Sequence, residues 1–303
     1  MSVSRKIRKV VIPAAGLGIR LLPATKAVPK EMMPIAGRPL IQFAVEEAAA
    51  SGLETVILVI SKGKNLVAEH FHRNFNLEAA LMQRGRSEDA ELIRRLSELI
   101  EIRTVCQQAP VGLADAIRSA RPLVGNETFA VILPDVLIDS PLPCTGQLID
   151  CYEKHPGCIV ATRTIDSTEA DRFGVLDAIP QPDACCAGRT LRVTSVTERP
   201  QPESGFSQYG IFGRYILEPA IFSCIERTRP GFAGELQLTD SLLLSSDLTP
   251  LYAYLFQGAH YDAGNKLGLV QATVAYALKD PELAKPLQEH WERLQPPKID
   301  IAV

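Results

Sequence analysis

The sequence predicts an α/β fold, built as a doubly wound, mostly parallel sheet with a mixed-sheet extension in its second half. Two observations predict it. Apolar runs of strand length alternate with amphipathic segments of helix length through the first half. The first apolar run, Val10-Val11-Ile12, leads into a glycine loop, the arrangement found at the carboxyl ends of strands in such sheets.

Taken in order, Lys9–Ala14 reads as a strand, apolar without a break from Val10 on, as a strand covered on both faces is. Pro39–Ser51 reads as a helix, with proline at its start and Gly52 past its end. Thr55–Ile60 is a second apolar strand. Asn65–Phe71 and Leu77–Arg84 carry helical patterns, and Glu88–Ile100 a clearer one with Leu92, Leu96 and Leu99 on one face. Ile102–Cys106 is a strand, Leu113–Ala120 a helix and Thr128–Leu133 a buried strand. Beyond it Cys158–Thr164, Val175–Ala178, Thr190–Thr197 and Ser207–Tyr215 read as strands of a mixed sheet. Ile179–Arg189 and Pro200–Gly205 read as loops between them. Pro219–Arg227, Leu236–Ser245 and Lys266–Leu278 read as helices, and Leu283–Leu294 as a terminal helix outside the core. With no repeat and no low-complexity linker, the expected organisation is one domain over residues 8–279 and a helical tail over 280–303.

A chain of 303 residues is long enough for a large core. Its net charge of −3, from 32 basic and 35 acidic residues, gives no electrostatic case for nucleic acid or an anionic membrane as partner. No apolar run approaches the ~20 residues of a membrane helix, and the start shows no signal peptide. Seven cysteines without a Cys-x-x-Cys make neither a disulfide framework nor a zinc ribbon, and the plain expectation is reduced thiols in the cytoplasm. Cys144, Cys151 and Cys158 stand seven apart. His70 and His72 are the only close histidine pair, without the companions a metal would need.

The chemistry concentrates in the loop after the first strand. Ala15, Gly16 and Gly18 form a tight segment whose backbone N–H groups can approach a phosphate with no Cβ in the way. Arg20, and Lys30 ten residues on, read as counter-charges for it. Other phosphate loops fit worse. A dinucleotide fingerprint needs a third glycine where Leu21 stands, and Gly63-Lys64-Asn65 lacks the hydroxyl of a Walker loop. Asp135, one proline after the apolar strand, sits where a metal-binding carboxylate belongs in such a sheet.

Five segments together carry a resemblance. They are Gly16-Leu17-Gly18-Ile19-Arg20 through Lys30-Glu31-Met32; Gln107 with Gly112-Leu113-Ala114-Asp115-Ala116; Leu133-Pro134-Asp135; Val196-Thr197-Glu198-Arg199-Pro200; and Tyr261-Asp262-Ala263-Gly264-Asn265-Lys266. With them go Phe173-Gly174-Val175, Ile211-Phe212-Gly213-Arg214-Tyr215 and Gly234-Glu235-Leu236-Gln237-Leu238-Thr239-Asp240. In order and spacing the set resembles the bacterial UTP–glucose-1-phosphate uridylyltransferases of the sugar-nucleotidyltransferase superfamily, over roughly Val10 to Ala272.

The resemblance implies a Rossmann-like, GT-A-like nucleotidyltransferase fold with its extension on the sugar side. It implies UTP and glucose 1-phosphate as substrates, Mg2+ as cofactor, and a homo-oligomer, dimer or tetramer. By resemblance Asp135 and Asp262 hold the magnesium, Arg20 and Lys30 contact phosphates, and Arg199 reaches the sugar phosphate. Gln107 and Gly112 match readers of the uracil edge, where an amide pairs with a donor and an acceptor. Glu198 and Glu235 match sugar hydroxyl contacts, and Gly174 and Gly213 match places where backbone nears the sugar. Since the attacking atom is an anionic phosphate oxygen, no general base is needed, and the absence of a nucleophilic triad is expected.

Three departures from the family pattern stand out. Ile19 replaces a usual threonine, Arg199 a usual lysine, and Gly112-Leu113-Ala114-Asp115-Ala116 leans toward the thymidylyltransferase branch. They keep two alternatives open: a non-catalytic regulatory paralogue, and a transferase for dTTP or another sugar 1-phosphate. A nicotinamide dehydrogenase is the outsider.

Overall fold

Val10, Val11 and Ile12 are all fully buried, yet they serve opposite cores. Val10 and Ile12 pack with Ile41, Ala44 and Val45 on one side. Val11 packs with Ala114 and Ile117 on the other. This is the period-2 geometry of a strand covered on both faces. Each such side chain contributes roughly 1.5–3 kcal/mol by leaving water.

The computed structural model describes residues 6–181, 188–201 and 209–294. Strand β1 (Lys9–Pro13) runs through the glycine loop to the hairpin β2 (Pro34–Ile35) and β3 (Arg38–Pro39). Helix α1 (Leu40–Ala50), strand β4 (Thr55–Ile60) and helices α2 (Leu66–Glu69), α3 (Phe75–Gln83) and α4 (Ser87–Glu98) follow. Next come β5 (Glu101–Cys106), α5 (Leu113–Ser119), α6 (Arg121–Val124), β6 (Phe129–Ile132), β7 (Val136–Asp139) and α7 (Cys144–Lys154). The second half holds β8 (Cys158–Thr164), β9 (Gly174–Pro180), β10 (Thr190–Glu198), β11 (Tyr209–Leu217) and α8 (Ile221–Arg227). It closes with α9 (Leu238–Ser245), β12 (Leu251–Leu255), β13 (Ala259–Asp262), α10 (Lys266–Ala277) and α11 (Pro281–Leu294).

Among the described residues, nine strands form one sheet in the order β5-β4-β1-β6-β11-β8-β12-β10-β9. The block β5-β4-β1-β6 is parallel, as the alternation predicts. Strand β11 then enters antiparallel between β6 and β8, with Arg214 opposite Ile132. The rest is mixed: β12 runs parallel to β8, and β10 antiparallel to β12 and β9. Helices α1, α2 and α7 cover one face, and α5, α8 and α9 the other. A ribbon of β7 and β13 stands apart, pairing Asp139 with Ala259 and Val136 with Asp262. A smaller core of Leu21, Met33, Ile35, Leu40, Leu137, Ala263 and Ala272 lies under the loops that carry Arg20 and Asp262. No described helix is long and apolar enough to cross a membrane.

Several expectations need correction. On α4 the buried residue is Ala90, and Leu96 packs on the core, whereas Leu92 and Leu99 are exposed. The leucine count therefore misplaced the inward face. The segment expected as a loop from Ile179 begins two residues later, since Ile179 and Pro180 end β9. Residues 182–187 of that loop, 202–205 of the next, 207–208 of the strand after it and 295–303 of the tail lie outside the described residues. Helix α7 and strands β7, β12 and β13 were not foreseen.

Candidate active site

The glycine loop is held by its carbonyls. Lys64 Nζ donates to Ala14 O (3.0 Å) and Gly16 O (2.5 Å), and Thr25 Oγ1 donates to Gly18 O (2.8 Å). Among the described residues, the N–H groups of Ala15, Gly16, Leu17 and Gly18 meet no protein acceptor. A short run of unpaired N–H groups over fixed carbonyls is a binding concavity for anions. Gly18 has φ 68°, and a Cβ on it would lie 3.0 Å from Lys30 Cβ, so glycine is required there by both conformation and space.

Two ion pairs converge beside the loop. Lys30 Nζ lies 2.6 Å from Asp135 Oδ2, and Arg20 grips Asp262 with two nitrogens at 3.1 and 3.4 Å. Burial alone would lower the Lys30 ammonium, but Asp135 and Glu31 outweigh it and hold it above its ordinary value. Burial likewise works against ionised Asp135, and Lys30 with Arg20 outweighs it and holds that carboxyl low. Gly264 lets the pairs meet. A Cβ on it would stand 2.6 Å from Arg20 Nη2, 2.8 Å from Asp135 Oδ2 and 3.1 Å from Asp262 Oδ1. Asn265 caps α10 by accepting from Gly268 N and turns its amide nitrogen onto Asp262 O and Oδ2.

Arg20, Asp135 and Asp262 open into a cleft of about 690 Å³, while Ala15, Gly16, Gly18 and Lys30 lie off its lining. Arg20, Asp135, Gly174, Glu198, Arg199, Gly213, Glu235 and Asp262 all line it, so residues far apart in sequence are brought together as expected. At the far end, Glu198 accepts from Thr239 Oγ1 at 3.0 Å, and burial raises its carboxyl above the ordinary value. A Cβ on Gly174 would lie 2.6 Å from Thr239 Cγ2. Gly213, at φ 60°, passes 3.0 Å from Leu133 Cβ by the same measure. Arg199 adopts φ 45°, unusual for a residue with a side chain, and its guanidinium lies over the Phe232 ring at 5.0 Å and 3.4 Å from Glu198 Oε1. Glu235 is exposed at the rim.

Gln107 and Gly112 sit together but off the lining of that cleft. Gln107 Nε2 donates to Asp115 Oδ2 (2.8 Å) and to Gly112 O (3.3 Å). A carboxylate only accepts, so the amide nitrogen faces Asp115 and the amide oxygen is the group left to present. Gly112, at φ 121°, touches the Leu236 backbone so closely that a Cβ would fall 2.5 Å from Leu236 O. A second cavity, about 720 Å³ between α3 and α4, is lined by Met82 and Leu92 with Glu78 and Arg94 and gathers none of the predicted groups.

Four side chains that hold the candidate site in place escaped the sequence reading: Lys64, Asp115, Arg214 and Glu47. Lys64 stood in the failed Walker match. Asp115 was seen only as a family departure. Arg214, fully buried, donates to Glu47, to Leu133 O (3.2 Å) and to Val136 O (2.8 Å), and so fixes both sides of the Asp135 turn. No local pattern marks a pair separated by 167 positions. The described cysteines carry no disulfide, and burial pushes the Cys158 thiol up to about 12. Among the described residues no three His, Cys, Asp or Glu side chains cluster as a metal site; Asp135 and Asp262 are hard oxygen donors that both line the cleft.

The model of the nucleotidyl transferase family matches residues 9–279. A UTP–glucose-1-phosphate uridylyltransferase 2 of Staphylococcus saprophyticus is 40% identical over 291 residues, covering 96% of this chain and 99% of the relative. The Bacillus subtilis uridylyltransferase of the same name is 38% identical, over 96% and 98%. Among solved structures, a UTP-bound UGPase from Acinetobacter baumannii aligns with TM-score 0.85 at 32% identity, covering 96% of this chain and all of the other. A UDP-glucose pyrophosphorylase complexed with UDP-glucose aligns with TM-score 0.81 at 35% identity, over 91% and 100%. These similarities bear out the resemblance carried by the sequence motifs.

Proposed function

Because the chain belongs to the nucleotidyl transferase family, we propose that it transfers a uridylyl group from UTP to glucose 1-phosphate, releasing pyrophosphate and forming UDP-glucose. The observation that carries the reading is the meeting of Arg20, Asp135 and Asp262 at one end of a cleft whose other end is Gly174, Glu198, Gly213 and Glu235, with Lys30 bound to Asp135 from behind that lining and packed against the glycine loop.

The sugar phosphate oxygen attacks the α-phosphorus. A new P–O bond forms there as the bond to the β-phosphate oxygen breaks, and pyrophosphate leaves with the electron pair. The attacking oxygen is already anionic, so no proton moves. What the protein supplies is alignment and charge stabilisation. The N–H groups of Ala15, Gly16, Leu17 and Gly18 hold the triphosphate. Arg20 and Lys30 neutralise it, and Arg199 holds the sugar phosphate. The amide oxygen of Gln107 accepts from the uracil N3–H. Glu198 and Glu235 accept from sugar hydroxyls, while Gly174 and Gly213 let the sugar lie against the backbone.

Asp135 and Asp262 suit magnesium, which is usually held by one or two carboxylates with phosphates and water completing its shell. Bound there, Mg2+ supplies charge neutralisation to the triphosphate. All four charged groups in place favour the catalytic reading over the non-catalytic alternative, which rests on the departures at Ile19 and Arg199. We place the catalytic unit at 8–279 and a tail at 280–303; that α11 buries no residue supports the division. Free thiols among the described cysteines support a cytoplasmic location. Exposed Phe75, Leu77, Met82, Leu92 and Leu99 on and beside α3 and α4 support a homo-oligomer, dimer or tetramer.

Pyrophosphate release should be measured with UTP, dTTP, ATP and GTP, each paired with several sugar 1-phosphates. UTP with glucose 1-phosphate should be turned over best. Faster release from dTTP, or from another sugar, would move the protein to that substrate pair.

A further inference from the structure

Lys64 stands before α2, far from the loop in sequence, yet its ammonium is enclosed by the site. Its three neighbours are Ala14 O at 3.0 Å, Gly16 O at 2.5 Å and Glu31 Oε2 at 2.9 Å. An ammonium has three protons to donate, so all three are committed inside the protein. The Lys64 side chain is 13% exposed and Glu31 is wholly buried. A buried pair of this kind adds little net stability, because desolvation cancels most of the attraction. Its effect is on position.

We propose that Lys64 is the positioning residue for the nucleotide triphosphate, holding the glycine loop in its anion-binding form. The inference rests on the reading of that loop as the UTP phosphate site. In a planar peptide the C=O and the following N–H point in opposite directions. Drawing Ala14 O and Gly16 O onto one ammonium therefore turns the N–H groups of Ala15 and Leu17 away from it. The same ammonium grips Glu31, next to Lys30, whose own Nζ lies 2.6 Å from Asp135. One side chain thus fixes the spacing between the N–H groups that receive phosphate and the cation that neutralises it. Released from Lys64, the loop glycines can rotate, and the incoming anion meets carbonyl oxygens.

Glu31 Oε1 is buried without a partner. Removing Lys64 alone strands a buried carboxylate, so Lys64→Met carries a folding cost unrelated to the nucleotide. The decisive variant is the double replacement Glu31→Gln with Lys64→Met, which removes both charges at nearly constant volume. It is compared with wild type and Lys64→Arg in full-length protein, by steady-state kinetics in each substrate and by the melting shift that UTP induces. The double variant should be folded, with KM for UTP raised at least ~10-fold and the UTP-induced shift lost. KM for glucose 1-phosphate should move by less than about threefold. Lys64→Arg, keeping the charge but not the three-way geometry, should recover part of the UTP affinity. A double variant with KM for UTP within about twofold of wild type overturns the proposal, and so do equal rises in both KM values. If wild type itself neither binds nor turns over UTP, the site reading fails first and takes this inference with it.

Discussion

Lys30 and Asp135 hold each other charged, and their signs set a pH window. The lowered Asp135 carboxyl contributes stability above its unfolded value of 3.8, lost as pH falls through the lower folded value. The raised Lys30 contributes below 10.5, lost as pH rises through its higher folded value. The pair is therefore whole across neutral pH. Asp135→Asn should abolish or severely reduce turnover there while the circular dichroism spectrum stays unchanged; wild-type rates at low magnesium would end its assignment. Glu198 has the opposite sign. Its raised carboxyl costs stability as pH climbs from 4.5 through the folded value. Glu198→Gln should raise the melting temperature at pH 8 more than at pH 4 and weaken sugar binding, and a pH-independent difference would refute the linkage. At Arg199, replacement by Ala should lower kcat/KM at least ~100-fold, on the order of 3 kcal/mol of transition-state stabilisation, while Lys retains activity. Asp115→Ala frees the Gln107 amide to flip, so the preference for UTP over CTP should fall about tenfold, the scale of one hydrogen bond. An unchanged ratio of kcat/KM values would remove Gln107 from the base site.

Arg214 on β11 and Glu47 on α1 tie the sheet to its covering helix at the Asp135 turn. Breaking such a pair leaves an uncompensated buried charge, so Arg214→Met should destabilise by about 3–5 kcal/mol in chemical denaturation. A loss under 1 kcal/mol would show that water reaches Glu47. This link also shows what was legible in the sequence. β1 and β4 could be read because burial on both faces leaves an unbroken apolar run. The loop proposed to bind phosphate stood out because Gly16, Gly18 and Arg20 fall within five positions directly after the first strand. Arg214 and Glu47 were not, since their partnership exists only once β11 has inserted beside β6. Helix α7 was missed for another reason. Cys144 and Cys151 were weighed as thiols, but with Leu148 between them all three are buried, and the seven-residue spacing is two helical turns. On α4, leucine identity was taken for position; Ala90 faces inward and Leu92 outward.

At the scale of the whole molecule, the exposed apolar side chains along α3 and α4 make the assembly state testable. Light scattering coupled to size exclusion should give a dimer or tetramer, and Phe75→Glu with Leu92→Glu should lower the mass; a monomeric wild type at micromolar concentration would contradict the reading. The ribbon of β7 and β13 carries a different consequence. It sets Asp139 beside Ala259, so the chain leaves and returns at one point. Gly174, Glu198, Arg199, Gly213 and Glu235 all fall within the excursion, while the glycine loop, Gln107, Asp135 and Asp262 fall outside it. For recombination, residues 140–258 are a cassette with adjacent ends, the arrangement in which insertions are best tolerated. A gene chimera receiving that segment from a relative of different sugar preference should take the donor's sugar and keep the recipient's base. New activities in such a lineage would then arise by exchange of one continuous stretch of DNA, without simultaneous change at both ends of the cleft.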